Sequence, residues 1–166
     1  MFKIKSLTLL LLSFLIISCT QSVQKNQFQY SIGYIGGELD GLNLSNILIQ
    51  NLKLLNLYNK NSSNKIETQF SHEQILYITN IDKTSDREKI TTNISFKIID
   101  EQKKCILYDK KFQTSQFYIF ADSNKFLSNK AALDKIKFQN AEYIVKRLLS
   151  QIANRKLECN LNEKSI

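Results

Sequence analysis

"REKITTNISFKIID", residues 87–100, decides the fold. Within it Ile90, Thr92, Ile94, Phe96 and Ile98 alternate with Lys89, Thr91, Asn93, Ser95 and Lys97. Successive side chains of a strand point to opposite faces, so a period of two with one apolar set predicts a strand that is buried on one side and wet on the other.

Working outward, residues 65–81 hold Ile66, Phe70, Leu76 and Ile78, with an irregularity at 71–74 that reads as a bulge. On the other side, residues 104–119 set Ile106, Tyr108, Phe112 and Tyr118 on one face. The connections "DKTSD" (82–86) and "DEQKK" (100–104) are short enough for hairpins. Consecutive antiparallel strands are therefore expected.

Earlier in the chain "FQYSIGYIG" (28–36) also alternates, with Phe28, Tyr30, Ile32 and Tyr34 on one side. Gly36, Gly37 and Gly41 break that strand, and from Leu44 the period changes. Leu44, Ile47, Leu48, Leu52, Leu55 and Tyr58 recur at spacings of three and four, the stripe of a helix whose start Asn43 or Ser45 could cap. After the strands, a long helix is predicted from about Lys130 to Arg155, with Leu127, Ala131, Phe138, Ala141, Val145, Leu148 and Ile152 as its apolar stripe. The order strand, helix, three strands, helix predicts an α+β fold: a two-layer sandwich in which two helices pack on one face of a four-stranded, mostly antiparallel sheet.

Ahead of this domain, "LLLLSFLIISCTQSVQKN" (9–26) follows Lys3 and Lys5. Its apolar part, Leu7 to Ile17, is too short for a bilayer core that takes roughly 20 residues, and has the layout of a secretory signal. Ile16-Ile17-Ser18-Cys19 resembles the lipobox of bacterial lipoproteins, in which the cysteine becomes the acylated first residue. Residues 1–18 are thus expected to be removed, 19–27 to form a lipidated tether, 28–158 one domain and 159–166 a C-terminal tail. Thr20, where Asp is absent, implies by the same resemblance transfer to the outer membrane, on its periplasmic side. The remaining 148 residues suit one core. Their charge falls from +8 to +6 when Lys3 and Lys5 leave, which fits an anionic partner or the drift of a composition rich in Lys, Asn and Ile.

"REKITTNISFKIID", "KCILYDKKFQTSQFY" (104–118) and "FADSNKFLSNKAALDKIKFQNAEYIVKRLLSQI" (120–152) together resemble the lipopolysaccharide-assembly lipoproteins of the LptE family. An aromatic such as Tyr118 ends the last strand there, a Ser-containing loop like 122–128 follows, and a helix closes the domain. The resemblance implies an outer-membrane lipoprotein that acts as plug and assembly partner of the LptD barrel in lipopolysaccharide transport. A lipoprotein that activates a cell-wall synthase or serves another envelope assembly is the alternative.

Neither reading calls for an enzyme, a cofactor, a metal or a nucleic-acid partner. His72 is the one histidine and is expected to be structural or on the surface. Asp82 with Asp86, and Asp100 with Glu101, fall in predicted turns, where carboxylates serve the backbone. A surface for lipid A should combine cations with apolar groups; Lys83, Arg87 and Lys89 at one hairpin and Lys125 and Lys130 before the last helix are the candidates, set by topology at one end of the sheet. Finally, the last helix must run back along the fourth strand over a matching length of roughly 40 Å. That brings Cys159 toward Cys105, as a disulfide in an oxidising compartment or as two separate thiols.

Overall fold

In the computed structural model the described residues are 28–78, 86–119, 126–153, 155 and 157–159. The signal segment, Cys19, the tether, Asp82, Lys83, Lys125 and the tail beyond Cys159 lie outside them. The elements are β1 (Ser31–Ile35), α1 (Glu38–Leu54), β2 (Asn64–Ile78), β3 (Asp86–Asp100), β4 (Cys105–Ile119) and α2 (Phe126–Ile152). They form one four-stranded sheet in the order β1-β2-β3-β4, with both helices on one face, as the periodicity predicts.

β3 pairs along its whole length with β2 and with β4, antiparallel to both. Its apolar set, Ile90, Ile94, Phe96 and Ile98, is fully buried, because this is the face the helices cover. β1 runs parallel to β2, and parallel neighbours need a crossover, which α1 supplies. The core joins Tyr30 and Ile66 from the sheet to Leu44, Leu48 and Leu52 of α1 and Ile144, Val145 and Leu148 of α2.

Several expectations are corrected. β2 pairs with β3 without interruption, so the irregularity at 71–74 is no bulge: Thr68 and His72 simply take inward positions between Ile66, Phe70 and Gln74. The bulges lie elsewhere. One between Ile98 and Ile99 adds an extra residue to β4, so that Ile106, Leu107 and Tyr108 are all buried in succession. Another in β1, between Ile32 and Ile35, turns Ile35 toward the core and leaves Tyr34 exposed.

Helix α1 begins at Glu38, well before the predicted start at Leu44. Gly37 precedes it with φ 110°, a conformation costly for any residue with a Cβ. Gly41 is inside the helix, not part of a break: a Cβ there would lie 2.8 Å from the carbonyl oxygen of Gly36. α2 likewise begins early, at Phe126. Its C-terminal half buries the predicted stripe, but in the N-terminal half Leu127 and Phe138 are exposed while Asn129 and Asn140 are buried.

The turn after β3 uses the Asp100 carboxylate for the backbone. Its Oδ1 accepts from Gln102 N at 3.0 Å and Lys103 N at 3.2 Å, and Glu101 pairs with Lys65. Cys105 and Cys159 are joined by a disulfide, with Cα atoms 5.6 Å apart.

Candidate functional site

The face of the sheet away from the helices is open, and its character changes along the strands. In the middle it is polar. Gln69, Ser71, Asn93, Ser95, Lys111 and Gln113, with Tyr34 at the side, line a shallow trough of about 770 Å³. Toward the end of β2, the start of β3 and the end of β4 it becomes cationic and apolar.

That second region is built by register. Arg87 stands between Tyr77 of β2 and Ile119 of β4, and Lys89 between Ile75 and Phe117. Partners directly opposite in a sheet share a face, and residues two apart on β3 share it too. The six side chains therefore form one patch with two cations at its centre. Ile75 is 39%, Tyr77 42%, Phe117 61% and Ile119 60% exposed, although strand geometry would allow each to be polar. The rings of Tyr77 and Phe117 meet edge-on across β3, with centroids 6.0 Å apart.

Of the cations singled out in the sequence, the structure brings Arg87 and Lys89 onto this face. Lys130 is at the same end but belongs to α2, in the layer on the opposite side of the sheet. The apolar flanks Ile75, Tyr77, Phe117 and Ile119 were not singled out by sequence reading. The signal for them is the odd-numbered register of the two hairpins, visible only once the strand ends are known.

On the inner face His72 is buried opposite Thr92, with Nδ1 2.9 Å from Thr92 Oγ1. Burial lowers its pKa from the ordinary value of 6.5; Asp40 opposes that shift and Lys137 adds to it. Among the described residues no group of three or more His, Cys, Asp or Glu side chains is placed to hold a metal. No helix among them is long and apolar enough to cross a membrane.

No family model matches the sequence, and no curated protein matches it. Solved structures do match the fold. A minor lipoprotein from Acinetobacter baumannii superposes with a TM-score of 0.59 at 12% identity, over 80% of this chain and 97% of the other. Rare lipoprotein B from Shewanella oneidensis gives 0.52 at 15% identity, over 78% and 98%. A lipoprotein B from Nitrosomonas europaea gives 0.54 at 12% identity, over 75% and 81%. At such identities the likeness is one of fold: this chain shares the α+β architecture of these bacterial lipoproteins over most of its length.

Proposed function

We propose that this chain is an outer-membrane lipoprotein, acylated at Cys19, that serves as plug and assembly partner of an LptD-type barrel and contacts lipopolysaccharide, with no covalent chemistry of its own. The observation that carries the reading is the patch around Arg87 and Lys89. Lipid A offers phosphates and hydrocarbon together, and the patch offers two cations framed by Ile75, Tyr77, Phe117 and Ile119 on one face. Charge-assisted bonds from guanidinium and ammonium to phosphate are the strong class of hydrogen bond, and apolar flanks exclude water from them. In the sequence, Lys83 lies between β2 and β3 and Lys125 between β4 and α2, both outside the described residues. The fold shared with bacterial lipoproteins supports an envelope role.

Purification from membranes in mild detergent tests the proposal. A barrel protein should come out with the chain at a fixed ratio, and depletion of the chain should leave that barrel misassembled. A chain that purifies alone from membranes where the barrel assembles normally would overturn the partner. Cys19→Ser should lower the intact mass by the acyl chains and release the protein from the membrane fraction, since stable anchoring takes more than one chain.

A further inference from the structure

Both helices finish at the end of the sheet where β2 begins. α1 returns from β1 to the start of β2, and α2 returns along β4 until the Cys159 disulfide meets the first residue of that strand. Between their last turns is a groove of about 320 Å³, lined by Leu54 and Leu55 at the end of α1 and by Leu149 and Ala153 at the end of α2, with Lys146 alongside. Leu54 is 80% and Leu55 48% exposed. The core takes Leu52 and Leu57 from the same stretch and leaves these two in the open.

The chain enters the domain at this same end. Gln29 O accepts from Ser62 Oγ at 2.6 Å and from Asn64 Nδ2 at 3.1 Å, and Tyr30 N donates to Leu57 O at 2.7 Å. The nine residues from Cys19 to Gln27 reach at most about 32 Å, so an acyl group on Cys19 stays within that distance of the entry. The surroundings are cationic. Lys53, Lys60, Lys104 and Arg155 are exposed here, with Glu158 exposed at the same end. The other carboxylates are matched: Glu101 by Lys65 at 2.5 Å, Glu142 by Lys146 at 2.8 Å, and Asp100 by the backbone of the turn after β3.

We propose that this end of the domain is a foot that rests on the phospholipid surface holding the Cys19 acyl group, with Leu54 and Leu55 inserted below the headgroups and the exposed cations on the phosphates. It rests on Cys19 being acylated, as in the proposed function. Apolar side chains ringed by cations suit the boundary between headgroups and hydrocarbon, and each cation near an anionic surface adds to the attraction. The anchor makes the contact intramolecular, so a weak affinity is enough to hold the domain on this end. The tether favours lipid over a protein partner, because it draws the entry end toward a membrane and the two open leucines are there. The patch at Arg87 and Lys89 stands at the opposite end of the sheet and is a separate surface.

Vesicle flotation tests the foot on the mature chain from residue 19, made with Cys19→Ser so that no acyl chain contributes. On vesicles of equal parts phosphatidylcholine and phosphatidylglycerol this chain should float with a lipid Kd on the order of millimolar, and added salt should weaken it. Leu54→Ser with Leu55→Ser, both exposed changes that should melt as the wild type does, should weaken it about tenfold or more. A polarity-sensitive fluorophore at Leu54→Cys should brighten on the vesicles. One at Leu42→Cys, 59% exposed toward the other end of α1, should not. Flotation alongside an unmodified Cys19 in the chain from cells would remove the anchor and leave the foot standing. No flotation up to about 10 mM lipid overturns the proposal, as does equal flotation of the double serine variant. Brightening at Leu42 as well would mean that the helix layer lies flat, and brightening at Leu54 only when a barrel protein is added would mean a protein contact; either overturns the foot.

Discussion

Cys105, the first residue of β4, is bonded to Cys159, which lies beyond the C-terminal end of α2, so the edge of the sheet and the end of the helix layer are one covalent unit. The bond closes a loop with a sequence separation of 54. On the chain-entropy model such a loop stabilises by about 4 kcal/mol. Replacing both cysteines by serine should lower the urea midpoint by up to that equivalent. Labelling of the unreduced, denatured mature protein should find neither thiol reactive.

Reversing charge at Arg87 and Lys89 together should weaken binding of lipopolysaccharide by tenfold or more, and the wild-type affinity should fall as salt rises. A hydrogen bond to a charged group contributes roughly 1.5–3 kcal/mol, and about 1.4 kcal/mol is tenfold. Lys130→Glu, in the opposite layer, should change binding less. Equal effects from all three would show that the open face is not what the lipid touches.

How much of this was legible in the sequence depends on how faithfully apolarity reports burial. β3 was readable because from Ile90 to Ile98 each inward position but Thr92 is apolar. α2 misled in its first half because Asn140 faces the core: it donates to Thr92 Oγ1 and, at 3.4 Å, to the Ile90 carbonyl. Asn129 is buried likewise, with the Tyr118 hydroxyl bonded to its Oδ1. Buried amides that hydrogen-bond in this way, Asn140 through its Nδ2 and Asn129 through its Oδ1, carry no hydrophobic signal, and exposed Leu127 and Phe138 supply a false one. The cations of the patch were legible from topology, whereas its apolar flanks needed the exact register.

His72 makes stability depend on pH with a definite sign. Its pKa is lowered in the folded chain by burial, with Lys137 contributing and Asp40 opposing. The unfolded chain therefore binds the proton more readily. Stability from this group is complete above the ordinary value of 6.5 and is lost as pH falls below it, moderated by Asp40. Urea midpoints between neutral and mildly acid pH should drop more for the wild type than for His72→Gln. Equal drops in the two proteins would assign the dependence to other groups.

Gly41→Ala should destabilise the fold, although alanine is favoured over glycine in a helix by about 1 kcal/mol. The new Cβ would meet the Gly36 carbonyl oxygen at 2.8 Å, a backbone atom held by the Gly36 N–H bond to the Thr68 carbonyl. A lower melting temperature is expected; a higher one would mean that the turn into α1 can give way.

The sheet also acts as a ruler. Tyr30 is tied to the loop before β2 by bonds to Leu57 and Asn59, so the described chain enters at the end where β2 begins. The patch, at Ile75 and Tyr77, is toward the other end of the same fifteen-residue strand, about 40 Å away at roughly 3.3 Å per residue. A nine-residue tether from Cys19 reaches at most about 32 Å when fully extended. A tether extended back along the sheet would bring an acyl group on Cys19 to within about 10 Å of a molecule held at Arg87, whereas one running the other way would hold them farther apart than the roughly 30 Å thickness of a bilayer's hydrocarbon core. The direction the tether takes, and not the domain's length alone, would decide whether the two ends can serve the same leaflet.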